Sequence, residues 1–564
     1  MTTAPLTFGA VARRGRGWLP LIGVTGLTGA LVTLALPVVL GRAVDGIVAG
    51  TDGGRWLAVA IGLIALGIAV DVVELLAETA CVAGTTAWLC NELVRHTLAV
   101  GPSGARRFEA GDLVSRVSGN AVDAAQAGPG AVAVATAALP PIGSLVLLAY
   151  IDLWTAVAFL AGIALVALVL RTFTRRTAEV VTAYQRVQGA IAARLAESLA
   201  GARTIAAAGT ARREERRVLV PLPELRAQGI RTWQVLARSG GQAAIVGPLV
   251  LVAVLAVGGL ALVDGRISPG ELFAASRYAV LGAGLGALTG VFGRLARGRA
   301  GVRRAAEVLA VPPVRYGGRE LPAEPVSPAD DMRTGRLEFV GVTVREDGRT
   351  LLDGVDLTVP GGAAVAVVGR SGAGKSVLAE LAARLREPDA GQVLLDGVPL
   401  PELRHAALRA AIGCAFERPV LVGGTVADAI GMGQDLDRVR AAVRATHAHD
   451  FVSRLPQGYD TPLADAPMSG GEVQRLGLAR AWHAGRLLVL DDATSSLDMV
   501  TEMQISRTLV GANGDGGRTR LIVTHRAATA ARADLVVWLD AGRVRAVGPH
   551  ARLWRNPEYR EVFG

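Results

Sequence analysis

Gly369-Arg370-Ser371-Gly372-Ala373-Gly374-Lys375-Ser376 decides how the second half of this chain folds. An apolar run at 363–368 precedes it and a helical stretch at 377–386 follows it. The pattern G-x-x-x-x-G-K-S between a strand and a helix is a phosphate cradle. Its glycines let backbone N–H groups turn inward on an anion, and the helix N-terminus adds the positive end of its dipole. Gly369, Arg370, Ser371, Gly372, Ala373 and Gly374 form the cradle, Lys375 reaches the β- and γ-phosphates, and the Ser376 hydroxyl takes Mg²⁺. A chain with 70 glycines invites chance matches, but of its 59 basic residues Lys375 is the sole lysine, and it occupies the motif's lysine position. More than 100 residues later, Leu487-Leu488-Val489-Leu490 ends in Asp491-Asp492. An apolar strand ending in acids places Asp491 to hold Mg²⁺ through water and Asp492 to orient an attacking water. Short β-type runs alternate with helical stretches through this half, the pattern of an α/β domain with a largely parallel sheet.

The first half is of another kind. A chain of 564 residues exceeds one hydrophobic core. A content of 51% hydrophobic and 19% charged residues excludes a disordered chain and argues against an all-soluble one. Residues 19–40, 131–151, 153–170 and 243–263 carry no charge. About 20 helical residues cross a hydrocarbon layer of ~30 Å, so each run is a span. Two weaker runs complete six spans: 56–70, which continues into Asp71, Glu74 and Glu78, and 272–295, which contains Arg277. The first is too long for a cleaved signal and lacks a small-residue cleavage site.

Arginines orient these spans. Arg13, Arg14 and Arg16 precede the first; Arg95, Arg106, Arg107 and Arg116 lie between the second and third; the stretch 171–238 between the fourth and fifth is rich in them. The remaining short loops hold only Arg42, Arg55 and Arg266. The positive-inside rule places the N-terminus and both long loops in the cytoplasm. The net charge of +10 is then an excess of loop arginines rather than a nucleic-acid footprint. Helical spacing of apolar residues at 188–208 predicts that the spans continue as helices into the cytoplasm.

Asp71, Glu74 and Glu78 share one helix face. They read either as a polar wall of a substrate pathway or as a helix leaving the bilayer. Glu78 lies roughly 33 Å beyond Trp56, which favours the second reading for Glu78 and leaves Asp71 open. Three cysteines, Cys81, Cys90 and Cys414, argue against a disulfide framework or a cysteine-based zinc site. Pro312, Pro313, Gly317, Gly318, Pro322, Pro325 and Pro328 mark a linker, which divides the chain into a membrane domain at 1–310, the linker at 311–335 and a nucleotide-binding domain at 336–564.

Met468-Ser469-Gly470-Gly471-Glu472-Val473-Gln474-Arg475 resembles the LSGGQ signature of ATP-binding cassette (ABC) proteins. Ser495-Ser496-Leu497-Asp498 resembles their D-loop, His525 in Ile522-Val523-Thr524-His525-Arg526 their switch histidine, and residues 408–430, with Gly424-Thr425-Val426, their Q-loop region. In the membrane half, Gly111-Asp112-Leu113-Val114-Ser115-Arg116 resembles the first intracellular coupling segment. Glu197 with Gly201-Ala202-Arg203-Thr204-Ile205 resembles the helix leading to the second. The likeness covers essentially the whole chain and is to an exporter-type half-transporter. It implies an N-terminal all-α six-helix transmembrane domain with long cytoplasmic helical extensions and a C-terminal α/β P-loop ABC ATPase domain. It also implies a multi-pass protein of the cell membrane, its N-terminus and ATPase domain cytoplasmic, that binds ATP and Mg²⁺ as a dimer. Each ATP would lie between one subunit's Lys375 loop and Ser469, Gly470 and Gly471 of the other.

Departures from the family pattern cluster at the site. The catalytic glutamate position holds Asp492, one methylene shorter, and a misplacement of ~1 Å can cost on the order of 10²-fold in rate. The Q-loop glutamine position holds Glu417, a negative charge near metal and phosphates. Catalytic candidates are therefore Asp492, His525 and Glu417, and metal candidates Ser376, Asp491 and Glu417. The adenine-stacking aromatic, aligned through Leu337-Glu338-Phe339 and Val342-Thr343-Val344, falls on Glu346. Glu472 ends the signature in place of glutamine, and residues 461–467 lack the usual Glu-Arg-Gly. Such clusters resemble the degenerate-site subunit of a heterodimeric exporter, whose partner half-transporter supplies a catalytic glutamate; a homodimer with two slow sites is the alternative. The implied function is ATP-driven export of a small or amphipathic compound, such as a drug, lipid, peptide or secondary metabolite. Import on the same fold is one alternative. A soluble cassette ATPase acting on nucleic acid or ribosomes is another, and the charge-free spans argue against it.

Overall fold

The computed structural model describes residues 6–283, 286–323, 334–346, 348–510 and 517–564. Its contacts divide the chain into two units: Met1–Thr97 with Phe108–Val311, and Leu98–Arg107 with Pro312–Gly564. Residues 324–333 of the expected linker lie outside the described residues.

The first unit is helical throughout. α1 (Phe8–Arg14) leads to α2 (Leu19–Val48) and α3 (Gly53–Ala105). α4 (Ala110–Ala125), α5 (Ala127–Ala137) and α6 (Leu139–Ile151) follow almost end to end. α7 (Leu153–Ala200), the short α8 (Ala202–Ala207) and α9 (Ala211–Leu219), α10 (Leu222–Val263), α11 (Pro269–Ala283) and α12 (Gly286–Leu309) complete it. At 1.5 Å per residue, residues 53–100 of α3 run about 70 Å, far beyond a hydrocarbon layer, so the expected helical extensions are present. Among the described residues, three helices are long and apolar enough to cross a membrane: Leu19–Val48, Gly53–Ala105 and Ala110–Ile151. Leu153–Leu165 and Gly247–Val263 are shorter apolar helices. The sixth expected span, 272–295, includes residues 284–285, which lie outside the described residues.

Leu148, Phe159, Val250, Val254 and Tyr278 form a dry centre in this unit. Tyr278 donates its phenol to Leu34 O at 2.6 Å, and Asp45 accepts from Ser268 Oγ at 2.6 Å and Gly270 N at 2.7 Å, fixing α11 on α2. Arg116, buried, reaches Asp112 and Glu307 at 2.7 Å each and clamps α4 to α12. Ile61, Ile68, Leu75, Leu76 and Leu260 are exposed, so the unit presents an apolar outer surface of the kind that lipid covers. On the acidic face of α3, Glu78 lies 3.5 Å from Arg294 of α12, Glu74 is half-buried and Asp71 exposed.

The second unit begins within α3. The helix is broken at Gly101 (φ 72°), a left-handed conformation that glycine adopts freely, and Pro102 follows. Ser103 Oγ donates to Leu385 O at 2.7 Å, Arg106 pairs with Glu380, and Val314 N donates to Ala99 O at 3.0 Å. The segment that joins the ATPase unit is therefore Leu98–Arg107, upstream of the motif at 111–116 that resembles the first coupling segment. Residues 111–116 lie in α4, where Asp112 and Glu307 engage the Arg116 guanidinium.

Two sheets build the rest of this unit. β1 (Leu337–Glu346), β2 (Arg349–Val359), β4 (Ala390–Leu395) and β5 (Val398–Pro399) form an antiparallel sheet in the order β2-β1-β4-β5. β3 (Ala364–Val368), β6 (Ile412–Phe416), β7 (Leu487–Asp491), β8 (Thr519–Val523), β9 (Leu535–Asp540) and β10 (Arg543–Gly548) form the second, in the order β10-β9-β3-β8-β7-β6. All but the β9–β10 pair run parallel. Every residue of β3 is buried, as an unbroken Ala/Val run demands of a central parallel strand. β3, β7 and β8 are neighbours, so the segments after their carboxyl ends meet in one crevice, where parallel sheets hold ligands.

Candidate nucleotide-binding site

The crevice is assembled from strand ends. β3 delivers the glycine loop, which passes directly into α13 (Lys375–Ala382). Gly374 sits at the helix N-cap with φ 97°, and a Cβ there would lie 2.8 Å from Leu351 O and 2.7 Å from Leu352 Cδ2. Only glycine permits both the turn and this approach of β2. Lys375, 6% exposed, folds back over the loop and donates to Gly369 O at 2.8 Å and Arg370 O at 3.0 Å. Burial pulls its ammonium below the usual lysine range, against the opposing pull of Asp492 and Asp491.

β7 delivers both aspartates. Asp491 accepts from Ser376 Oγ at 3.1 Å, joining the two expected metal oxygens. Asp492 has φ 47°, a left-handed backbone that is uncommon outside glycine and is concentrated at functional sites. That turn sets its carboxylate 3.5 Å from Nε2 of His525, which follows β8. Burial raises the carboxyl pKa of both aspartates; for Asp492, His525 and Lys375 partly oppose the shift. Glu417, exposed beyond β6, adds to both shifts through its charge, and its carboxylate lies 3.9 Å from Arg418. The structure thus gathers Lys375, Ser376, Asp491, Asp492 and His525, with Glu417 at the edge.

Three carboxylates against one ammonium repel a triphosphate unless a cation accompanies it. Among the described residues no group of three or more His, Cys, Asp or Glu side chains could hold a metal ion alone. One hydroxyl and one carboxylate oxygen suit Mg²⁺, which keeps waters and shares phosphate oxygens rather than needing a protein cage.

Ser469, Gly470 and Gly471 stand apart from this cluster in their roles. Ser469 caps the helix Gly470–Ala481, and its N–H and Oγ donate to Glu472 at 2.7 and 2.8 Å. The departure at Glu472 is thus a capping box, and the backbone N–H of Ser469 holds its carboxyl below the usual range. Sequence reasoning quoted Gln474 without giving it a part. Its amide, almost fully buried, donates to Glu417 O at 2.9 Å, Asp492 O at 3.4 Å and Ser495 Oγ at 3.1 Å, and accepts from Ser496 N at 2.9 Å. It ties together the segments around Glu417, Asp492 and the residues 495–498. A glutamine in the second turn of a helix carries no local sign of such contacts.

Comparison with known proteins places these features. A family model described as ABC transporter matches residues 352–495, and one described as ABC transporter transmembrane region matches residues 19–282. The chain is 47% identical over 554 residues to the ABC transporter ATP-binding protein RamA of Streptomyces coelicolor, covering 98% of this chain and 86% of RamA. It is 33% identical over 414 residues to an ATP-dependent lipid A-core flippase of Chromohalobacter salexigens, covering 71% and 70%. A bacterial Atm1-family ABC exporter solved with ATP bound matches its structure with a TM-score of 0.76, at 25% identity and over 98% of each chain.

Proposed function

This chain belongs to the ABC transporter family, and from that premise we propose that it is the slowly hydrolysing subunit of a heterodimeric exporter. It is a membrane-spanning exporter with a cytoplasmic ATPase domain that binds ATP, and half-transporters of this kind work as dimers. The observation that carries the proposal is Asp492: a carboxylate one methylene short, on a left-handed backbone beside His525, at the end of β7.

In this reading Lys375 exchanges its two loop carbonyls for phosphate oxygens, gaining charge-assisted bonds. Ser376 and Asp491 hold Mg²⁺, which when bound offsets the charge of the phosphates. Asp492 orients the attacking water from too far away, and His525 contacts the γ-phosphate side. Glu417 takes the place of a neutral amide and disfavours the developing negative charge. Ser469, Gly470 and Gly471 complete the partner's site, where a glutamate performs the turnover. An amphipathic cargo fits the apolar outer surface of the helical unit and the presence of a lipid A-core flippase among the relatives.

The test is ATPase activity of the purified chain, alone and with a second half-transporter that carries the glutamate. Alone, it turns over about 10²-fold more slowly than the pair. Equal rates for the chain alone and for the pair count against the heterodimer.

Burial of Asp491 also sets a pH dependence. Asp491 is needed ionised to hold Mg²⁺, and burial makes it titrate above the ordinary aspartate range near 3.9. Mg²⁺-dependent ATP binding is therefore complete at neutral pH and is lost as pH falls, beginning at a higher pH than free aspartate would give. A binding profile that stays flat down to the ordinary aspartate range contradicts this.

A further inference from the structure

A cleft of about 440 Å³, within the range of small-ligand cavities, lies where α2, α6 and α11 meet in the helical unit. Val38, Leu147, Ile151 and Ala274 give it apolar walls, and Arg42, Asp45 and Glu271 give it charge. Beside it α2 and α11 touch through backbone alone, since a Cβ on Gly270 would lie 2.1 Å from Gly41 O. Arg42, Tyr150 and Glu271 each lie within two turns of the end of their helix. Those ends adjoin the arginine-poor connections, which the positive-inside rule sets outside the cytoplasm. Tyr150, on the rim, is 90% exposed, and Trp154 at the start of α7 is 64% exposed. Exposed Tyr and Trp at span ends mark the headgroup level of a bilayer. Tyr150 also tops a stripe at i, i+4 spacing with Ile142 and Val146, both exposed, so an apolar column runs from the cleft toward the hydrocarbon.

The charges of the cleft differ in what they already hold. The Arg42 guanidinium lies 5.0 Å from the centre of the Trp56 ring, which steadies it, and among the described residues no carboxylate pairs with it. Asp45 accepts from Ser268 Oγ and Gly270 N, one on each oxygen. Glu271 uses one oxygen for Ser268 N at 2.8 Å, which leaves the other to take a donor. An unpaired cation at a membrane boundary calls for an anion, and a half-used carboxylate for an N–H. One cation beside two carboxylates also disfavours any ligand that is anionic overall.

We propose that this cleft binds a phospholipid of the outer leaflet with a phosphoethanolamine head. Its phosphate pairs with Arg42, its ammonium donates to Glu271, and one acyl chain lies along Val146 and Ile142. A phosphocholine head offers the same phosphate but no N–H for Glu271. A phosphoglycerol head lacks the ammonium and adds a net negative charge to the two carboxylates. The site shares no residue with the ATP crevice and is independent of how hydrolysis is divided between subunits.

The experiment uses the full chain in detergent, with its partner where one is needed, and counts retained lipid by native mass spectrometry. Phospholipids with identical oleoyl chains and phosphoethanolamine, phosphocholine or phosphoglycerol heads are titrated in turn. One phosphoethanolamine lipid per chain is held about tenfold more tightly than either of the others, the effect of roughly one charge-assisted hydrogen bond. Arg42→Gln weakens its binding about tenfold, with the fold checked by thermal melting before lipid is added. Glu271→Gln keeps an acceptor for Ser268 N and removes the preference over phosphocholine. That preference is a ratio within one preparation, so partial loss of folded protein does not imitate the result. Equal retention of the three heads, or tighter phosphoglycerol binding, overturns the proposal. So does unchanged phosphoethanolamine binding in Arg42→Gln, or a preference that survives Glu271→Gln.

Discussion

Lys375→Ala weakens ATP binding by at least about 10²-fold and abolishes ATP-driven transport. Two charge-assisted hydrogen bonds to phosphate, at about 1.5–3 kcal/mol each, are lost with the ammonium, and the lower end of that range already gives this factor. No neighbour can substitute, because every other basic side chain is an arginine. A guanidinium cannot enter the space in which Lys375 folds over the Gly369 and Arg370 carbonyls. Alanine also leaves a small void at a buried position, so Lys375→Met is the companion variant, filling the volume without the charge. Both variants lose binding while thermal melting shows the fold retained. Unchanged affinity in Lys375→Met shows that the loop holds no triphosphate.

Asp492→Glu raises the hydrolysis rate of the chain's own site by up to about 10²-fold. The extra methylene advances the carboxylate by about 1 Å, the scale on which misplacement costs this much. The left-handed backbone at Asp492 aims the side chain and remains in the variant, and His525 is within 3.5 Å to receive the longer arm. Asp492→Asn is the opposing control: it removes the charge without altering length and lowers the residual rate further. Steady-state phosphate release on the purified protein decides the matter. If Asp492→Glu is no faster than the parent, the slow step lies elsewhere, and the charge of Glu417 becomes the first suspect.

Whatever depends on neighbours in sequence was legible before the structure. The glycine loop, its helix and the β7 aspartates form a site whose chemistry is written within a few residues at a time. The charge-free spans and their arginine-bearing loops were readable for the same reason. Contacts that join distant positions were not. Gln474 gathers three segments through one amide, yet nothing beside it in the chain distinguishes it from a helix-surface glutamine. The motif at 111–116 drew attention as a coupling segment, whereas the break at Gly101 directs Leu98–Arg107 onto Leu385 and Glu380. A glycine beside a proline can end a helix or merely bend it, and only the φ of 72° decides. Nor did the sequence show that Arg294, more than 200 residues on, lies 3.5 Å from Glu78.

The ε-amine of Lys375 is the chain's single one. Acylating reagents and enzymes that modify lysine therefore find one side-chain address in this polypeptide, and it is the floor of the phosphate cradle. Any such modification is a switch-off rather than a decoration. Conversely, protection of that address by a bound triphosphate makes occupancy countable from the fraction of molecules left unlabelled.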